Sequence, residues 1–494
     1  MADKRGSETF LRHTTIYAIG NIARRLVGFA MLPVYTRFLT AADYGAIGLL
    51  TFALALFEPL FGARLGVALP KFYFESPNDR EKRAVVWSTL GLTGVVSALS
   101  MLVLIVFRGF GSEVIFGDRK YAVALGIFAV NLLSRPFEDT GMLYLRMHER
   151  SSLFLVVSML KLLLQVALNV LLVVYWQEGV IGVVLSGVIS SVAVGLCLTF
   201  YVRAQEKPAF SLEISQKMFE YCWPLWFSGL AGLYVGSSGG MYLRALGTLS
   251  DVGRLELALK FATVVGMVIW MPFYQHWGPL SYRHFKETDG ARKFQLAFIG
   301  IAVLMFSGGL GISIFSVPII RVMSTKQFFS AAALVPILTF GFIINYLRSF
   351  FNFCFLATEK TKISSLCQYA TAIIITIAYF GLIPRFGLIG AAVAQCVAFV
   401  GSFLYTWTIS RRYYDPGFHV KTVGILAFVF FVAYVSSNVV LRSESIAGDL
   451  VMKFAVWSVA AATMAFIGGR KMLRIDSSLS EKLPWPLDRL SRIA

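Results

Sequence analysis

Long apolar stretches, each of twenty residues or more, recur along the chain, and short polar segments divide them. Fourteen can be drawn: 14–37, 43–66, 84–107, 121–143, 153–175, 179–202, 218–241, 255–277, 294–317, 328–356, 363–384, 387–410, 421–441 and 449–468. A helix rising ~1.5 Å per residue carries any of them across a hydrocarbon core of ~30 Å. Strands are excluded, because a sheet edge in lipid leaves backbone groups unpaired unless a barrel closes. The pattern therefore predicts an all-α polytopic membrane protein of about fourteen transmembrane helices.

Composition agrees with that pattern and removes other classes. The 494 residues are 57% hydrophobic and 15% charged, with a mean hydropathy of +0.71. Soluble domains carry about 25% charged residues. A soluble enzyme, a disordered scaffold and a secreted disulfide domain are all excluded. A net charge of +18 on a soluble chain would point to nucleic acid. Here the basic residues sort by side. With the N-terminus inside, inner segments hold 27 Lys and Arg and outer loops hold 10. That predicts both termini in the cytoplasm and accounts for the basic charge without a nucleic-acid partner. Cys197, Cys222, Cys354, Cys367 and Cys396 have neither zinc nor disulfide spacing. The first apolar run holds Arg24 and Arg25 in its middle, unlike a cleavable signal peptide, so the N-terminus is expected to be retained.

The chain also repeats itself. Tyr35-Thr-Arg-Phe-Leu-Thr-Ala-Ala-Asp43-Tyr-Gly45 resembles Tyr242-Leu-Arg-Ala-Leu-Gly-Thr-Leu-Ser-Asp251-Val-Gly253, at an offset of 207 that becomes 208. Gly179-Val-Ile-Gly182 matches Gly387-Leu-Ile-Gly390, again at 208. The copies are expected to be two six-helix lobes, residues 1–205 and 206–415. Residues 416–494 then supply two further helices and a cytoplasmic tail. Six helices is an even number, so the copies run in parallel about an axis along the membrane normal, an arrangement of transporters.

The stretch Leu32-Pro-Val-Tyr-Thr-Arg-Phe-Leu-Thr-Ala-Ala-Asp-Tyr-Gly-Ala-Ile-Gly-Leu-Leu50 resembles the first two helices of the polysaccharide-transporter family. These are the Wzx-type flippases of the superfamily that includes the lipid II flippase and the multidrug and toxin extruders. Helix number, repeat, termini and length fit across essentially the whole chain. The resemblance implies a flippase, not an enzyme, that moves undecaprenyl-diphosphate-linked oligosaccharide from the cytoplasmic to the outer leaflet. O-antigen or exopolysaccharide synthesis is the setting it implies. A polysaccharide polymerase and a chain-length regulator are the protein partners it implies, with lipid around them. No cofactor is expected; H+ or Na+ is the coupling ion to consider.

Charges at membrane depth need a partner or a wet cavity. Arg24 and Arg25 lie mid-span, and Gly20, Arg24 and Gly28 share one helix face. This is the expected cradle for the diphosphate, with Arg64 guiding entry. Glu58, on the next span, is their expected counter-ion or the coupling acid. Lys260 is the candidate cation of the second lobe, either a substrate contact or the partner of Glu256 four residues before it. Arg135, Glu138 and Asp139 can pair among themselves, and Lys161, Gln165 and Asn169 share a face of the next span. Together these predict a polar packing seam inside the first lobe. Arg348 and Glu220 have no partner legible in sequence.

Two rivals remain. A multidrug extruder of the same superfamily would need carboxylates for cationic drugs, and the first span has arginines. A membrane glycosyltransferase or polymerase would need a large extramembrane loop, and the longest outer loop, 108–120, is about thirteen residues. Gly236-Ser-Ser-Gly-Gly240 fits G-x-S-x-G, yet sits at the end of an apolar helix without an Asp and His at hand. The five histidines have no metal spacing, and no phosphate loop for ATP is present.

Overall fold

The computed structural model describes residues 28–61, 65–440 and 446–476. They form an all-helical polytopic fold. Nine helices among them are long and apolar enough to cross a membrane. The chain separates into two compact units. Unit 1 runs to Gly253 and takes in Met323–Thr325; unit 2 holds Arg254–Val322 and the chain from Lys326 onward.

Unit 1 is built on α1 (Leu32–Phe38), α2 (Ala41–Phe61), α3 (Leu69–Glu75), α4 (Asp79–Val106), α5 (Arg108–Phe116), α6 (Ala122–Met147), α7 (Ser151–Asn169), α8 (Gly179–Gln205), α9 (Leu212–Ser237) and α10 (Gly239–Leu246). Starts and stops are chemical. Asn78 accepts from the Glu81 N–H at 2.9 Å to open α4, and Ser211 accepts from Ile214 to open α9. Gly117, in the left-handed region, closes α5. Helix α6 packs closely on both α4 and α8, because it buries small and polar residues: Ala124, Gly126, Ala129, Asn131 and Ser134.

Unit 2 holds most of α11 (Leu249–Ala262), then α12 (Met271–Phe285), α13 (Gly290–Met323), α14 (Val335–Ala357), α15 (Thr361–Ser410), α16 (Val420–Val435) and α17 (Ile446–Ile475). Its core is aromatic. Phe294, Phe298, Phe350, Phe351 and Phe418 are buried together, with Phe298 and Phe418 centroids 5.1 Å apart. Such rings fill volume and bury large apolar area. The 50 residues of α15 are two helices joined at Gly387, whose φ of 54° and ψ of −128° break the helix where the sequence divides its eleventh and twelfth spans.

Both repeated motifs repeat in structure. Thr40 and Asp43 cap α2, with Thr40 Oγ1 donating to Asp43 Oδ2 at 2.6 Å and Asp43 N–H donating to Thr40 Oγ1 at 3.1 Å. Thr248 and Asp251 cap α11 in the same way, at 2.7 and 3.2 Å. The two caps bring Gly45 and Gly253 together. A Cβ on Gly45 would fall 2.3 Å from the Leu249 carbonyl oxygen, and one on Gly253 would fall 1.9 Å from that of Ala41. Only glycine permits this crossing. Gly179 and Gly387 likewise both take positive φ, 55° and 54°. A third match escapes sequence comparison. Glu149 and Glu359, 210 residues apart, both sit at positive φ in the turns that open α7 and α15. The following N–H closes each turn: Arg150 to Leu145 O, and Lys360 to Phe355 O.

Candidate membrane-embedded polar site

Of the residues singled out in sequence, Arg24, Arg25 and Arg64 lie outside the described residues, and so does the side chain of Glu58. The diphosphate cradle drawn from them therefore stands as an expectation. Lys260 lies on α11, where its principal electrostatic neighbour is Glu256, one helical turn away. The i, i+4 spacing is what brings them together.

The seam expected in the first lobe is present, with different pairing. Glu138 does not settle with Arg135 on its own helix. It reaches across to α7, where Lys161 Nζ donates to its two carboxylate oxygens at 2.6 and 2.5 Å and to Ser191 Oγ of α8 at 3.1 Å. The side chains are 7% exposed for Glu138 and 19% for Lys161. Opposite charge and a hydroxyl partner together offset the cost of burying such a pair away from water. About two turns further along α7, Ser186 donates to Asn169 at 2.9 Å, which continues the seam along α7 and α8.

The other two charges of that cluster behave differently. Glu138 is buried, while Arg135 and Asp139 fall on the exposed side of α6. Successive residues on a helix are turned by about 100°, so Glu138 and Asp139 face apart. Arg135 and Asp139 are one turn apart on one face, and α6 thus carries a packing charge inward and a polar, chargeable face outward. Sequence assigned the whole cluster to packing; the structure divides it.

Unit 2 places Arg348 on α14, nine residues before its end at Ala357. Arg348 Nη2 donates to Gln368 Oε1 at 3.1 Å. Its electrostatic neighbours are Tyr405 and Cys367. Around them runs a neutral network on α15: Thr371 Oγ1 lies 3.0 Å from Ser402 Oγ and 2.5 Å from the Tyr405 hydroxyl, which also donates to the Cys367 carbonyl. Further along, Ser364 donates to Asn352 at 2.6 Å. Glu220, the other group without a legible partner, accepts from Gln216 at 3.1 Å one turn away.

Outside the membrane-spanning helices, Glu287 joins α12 to α13. Lys293 Nζ donates to it at 2.6 Å, and His284 Nδ1 lies 2.7 Å away. These bonds hold its carboxyl down at about 2. The Gly236–Gly240 segment is a junction between α9 and α10, not the strand-to-helix turn of a nucleophile elbow.

The described residues form an all-helical membrane protein with few embedded charges spread along its spans, and comparison with known proteins gives its family and fold. The polysaccharide biosynthesis protein family matches residues 10–283, so the chain belongs to that family. Among solved structures, it resembles the lipid II flippase MurJ in an inward closed conformation. The TM-score is 0.74 at 13% identity, covering 91% of this chain and 99% of that one. It also resembles an inward-facing multidrug resistance MATE family transporter of the MOP superfamily, at 0.62 and 14% identity over 83% and 99% of the two chains. The MATE multidrug transporter DinF-BH, solved in complex with R6G, gives 0.58 at 15% identity over 82% and 95%. At these identities the likeness shows the fold, that of the polytopic transporters. Comparison with curated proteins gave no match.

Proposed function

We propose that this protein is a flippase for undecaprenyl-diphosphate-linked oligosaccharide, carrying it from the cytoplasmic to the outer leaflet by alternating access for surface polysaccharide synthesis. The observation that carries the reading is the family match over residues 10–283. A transporter fold in a polysaccharide biosynthesis family calls for a sugar-bearing cargo that must cross lipid. The chemistry is consistent with it. A diphosphate crosses only where fixed cations replace its hydration, and Arg24 and Arg25, with Arg64 and Lys260, are the cations assigned to that task. Glu58 is assigned as counter-ion or coupling acid, with H+ or Na+ as the coupling ion. The repeat, in lobes 1–205 and 206–415, supplies the two halves such a cycle needs. Localisation in the inner membrane with cytoplasmic termini follows from the basic residues, and a polymerase and chain-length regulator are the proposed neighbours.

The test is a cell lacking the protein. Lipid-linked oligosaccharide should accumulate on the cytoplasmic side and surface glycan should be lost. Normal glycan export together with new sensitivity to cationic drugs would instead assign the protein to the multidrug extruders.

A further inference from the structure

We propose that Arg348 is an anion-binding residue of unit 2 that takes the phosphate of a lipid headgroup, an inference that rests on the flippase reading for its choice of ligand. The matched turns at Glu149 and Glu359 fix the local register of the repeat at 210 residues. In that register Arg348 stands where unit 1 has Glu138, and Thr371 stands where it has Lys161. The seam of unit 1 closes on itself, acid on base. At the matched place in unit 2 the acid has become a cation, and the base has become a hydroxyl.

The guanidinium is therefore left with dipoles. Its one hydrogen bond goes to a neutral amide, Gln368, and the neighbouring Thr371, Ser402 and Tyr405 are neutral too. No salt bridge joins it to a carboxylate among the described residues. Its place on α14 is about 13 Å from the helix end, too deep for the head to reach bulk water easily. One turn earlier, at the position matching Arg135, the Asn345 side-chain amide oxygen Oδ1 is buried with no hydrogen-bond partner. Two polar groups on one turn are thus under-partnered, a condition that a bound ligand or ion would relieve. Arg348 is half-buried rather than sealed. An arginine offers up to five donors in a planar fork, the geometry that grips a phosphate by two oxygens.

Purified full-length protein, titrated with farnesyl diphosphate, inorganic diphosphate and farnesol, tests this. Wild type is expected to bind both diphosphates and not farnesol. Arg348→Gln should weaken diphosphate binding at least tenfold while its unliganded melting temperature stays within a few degrees of wild type. Arg348→Lys should fall between, keeping charge and losing the fork. Gln368→Leu should keep binding, since it removes only the neutral partner. Binding by Arg348→Gln equal to wild type overturns the proposal, as does its collapse in stability alongside unchanged ligand affinity in Arg348→Lys. A wild type that binds inorganic diphosphate but rejects the prenyl form keeps the anion site and removes the lipid. Loss of binding in Arg348→Gln with unimpaired drug export in cells keeps the site and removes the flippase reading.

Discussion

The seam of α6, α7 and α8 in unit 1 and the seam of α14 and α15 in unit 2 hold matched places in a repeated chain, and they solve opposite electrostatic problems. In unit 1, Glu138, Lys161 and Ser191 satisfy one another, and the result is neutral. In unit 2, Arg348 meets an amide, and the result is a net cation. A buried pair of opposite charges is weak evidence for function, because it can be replaced by packing. A cation held at depth without its counter-charge is a standing cost, and that cost is what points to binding.

The contrast is most easily broken at Lys161. Lys161→Met leaves Glu138 buried and unpaired, and should cost about 3–5 kcal/mol, read as lost membrane abundance and a lower melting temperature. The double variant Glu138→Gln with Lys161→Met should recover most of that loss. If Lys161→Met alone is as stable as wild type, the unit 1 seam is not what holds α6 to α7.

A second break tests the repeat rather than the charges. Gly253→Ala places a methyl group against the Ala41 carbonyl and should cost about 1–3 kcal/mol. Gly45→Ala should cost a comparable amount, because the crossing is symmetric. A melting temperature unmoved by either substitution would mean that the two caps do not need to touch.

In unit 2, Gln368→Leu removes the single partner of Arg348 and should cost about 1–2 kcal/mol, the scale of a hydrogen bond to a charged group. Thermal unfolding of the purified protein reads it. A loss as large as that of Lys161→Met would make the two seams equivalent and erase the comparison.

The smallest effect lies in water, at Glu287. Its carboxyl is held below its usual value of about 4.3, at about 2, by Lys293 and His284. The folded state therefore gains stability above the unfolded value and loses it as pH falls through about 2. Glu287→Gln should flatten the stability profile between those values and leave its slope at neutral pH unchanged. Salt should weaken the effect, since the group is solvated. An identical acid profile for variant and wild type would remove the interaction.

Much of the fold was legible because lipid makes hydrophobic run length a direct signal. Spans drawn at 84–107 and 153–175 fall on α4 (Asp79–Val106) and on α7 with its continuation to Tyr175. The repeat was legible wherever glycine or a capping Thr-x-x-Asp was required, as at Gly45 and Gly253. It was missed at Glu149 and Glu359, where only Glu149-Arg-Ser151 against Glu359-Lys-Thr361 repeats, a match too short to stand out. Pairing was harder. Lys161 and Glu138 are 23 residues apart, and their meeting depends on how α6 and α7 are rotated. Helical spacing alone favoured partners on one helix. The Arg348–Gln368 contact was missed for the same reason, although a lone arginine in an apolar run was its visible signal.

The central claim is that the unit 1 pair holds structure while the unit 2 cation serves transport, and one experiment addresses both. Membrane abundance and surface-glycan export are measured together in cells carrying Lys161→Gln or Arg348→Gln as the only copy. Arg348→Gln is expected at wild-type abundance with export lost. Lys161→Gln should fall in abundance, with export falling in proportion. Full export by Arg348→Gln, or scarcity of Arg348→Gln beside normal abundance of Lys161→Gln, would contradict it.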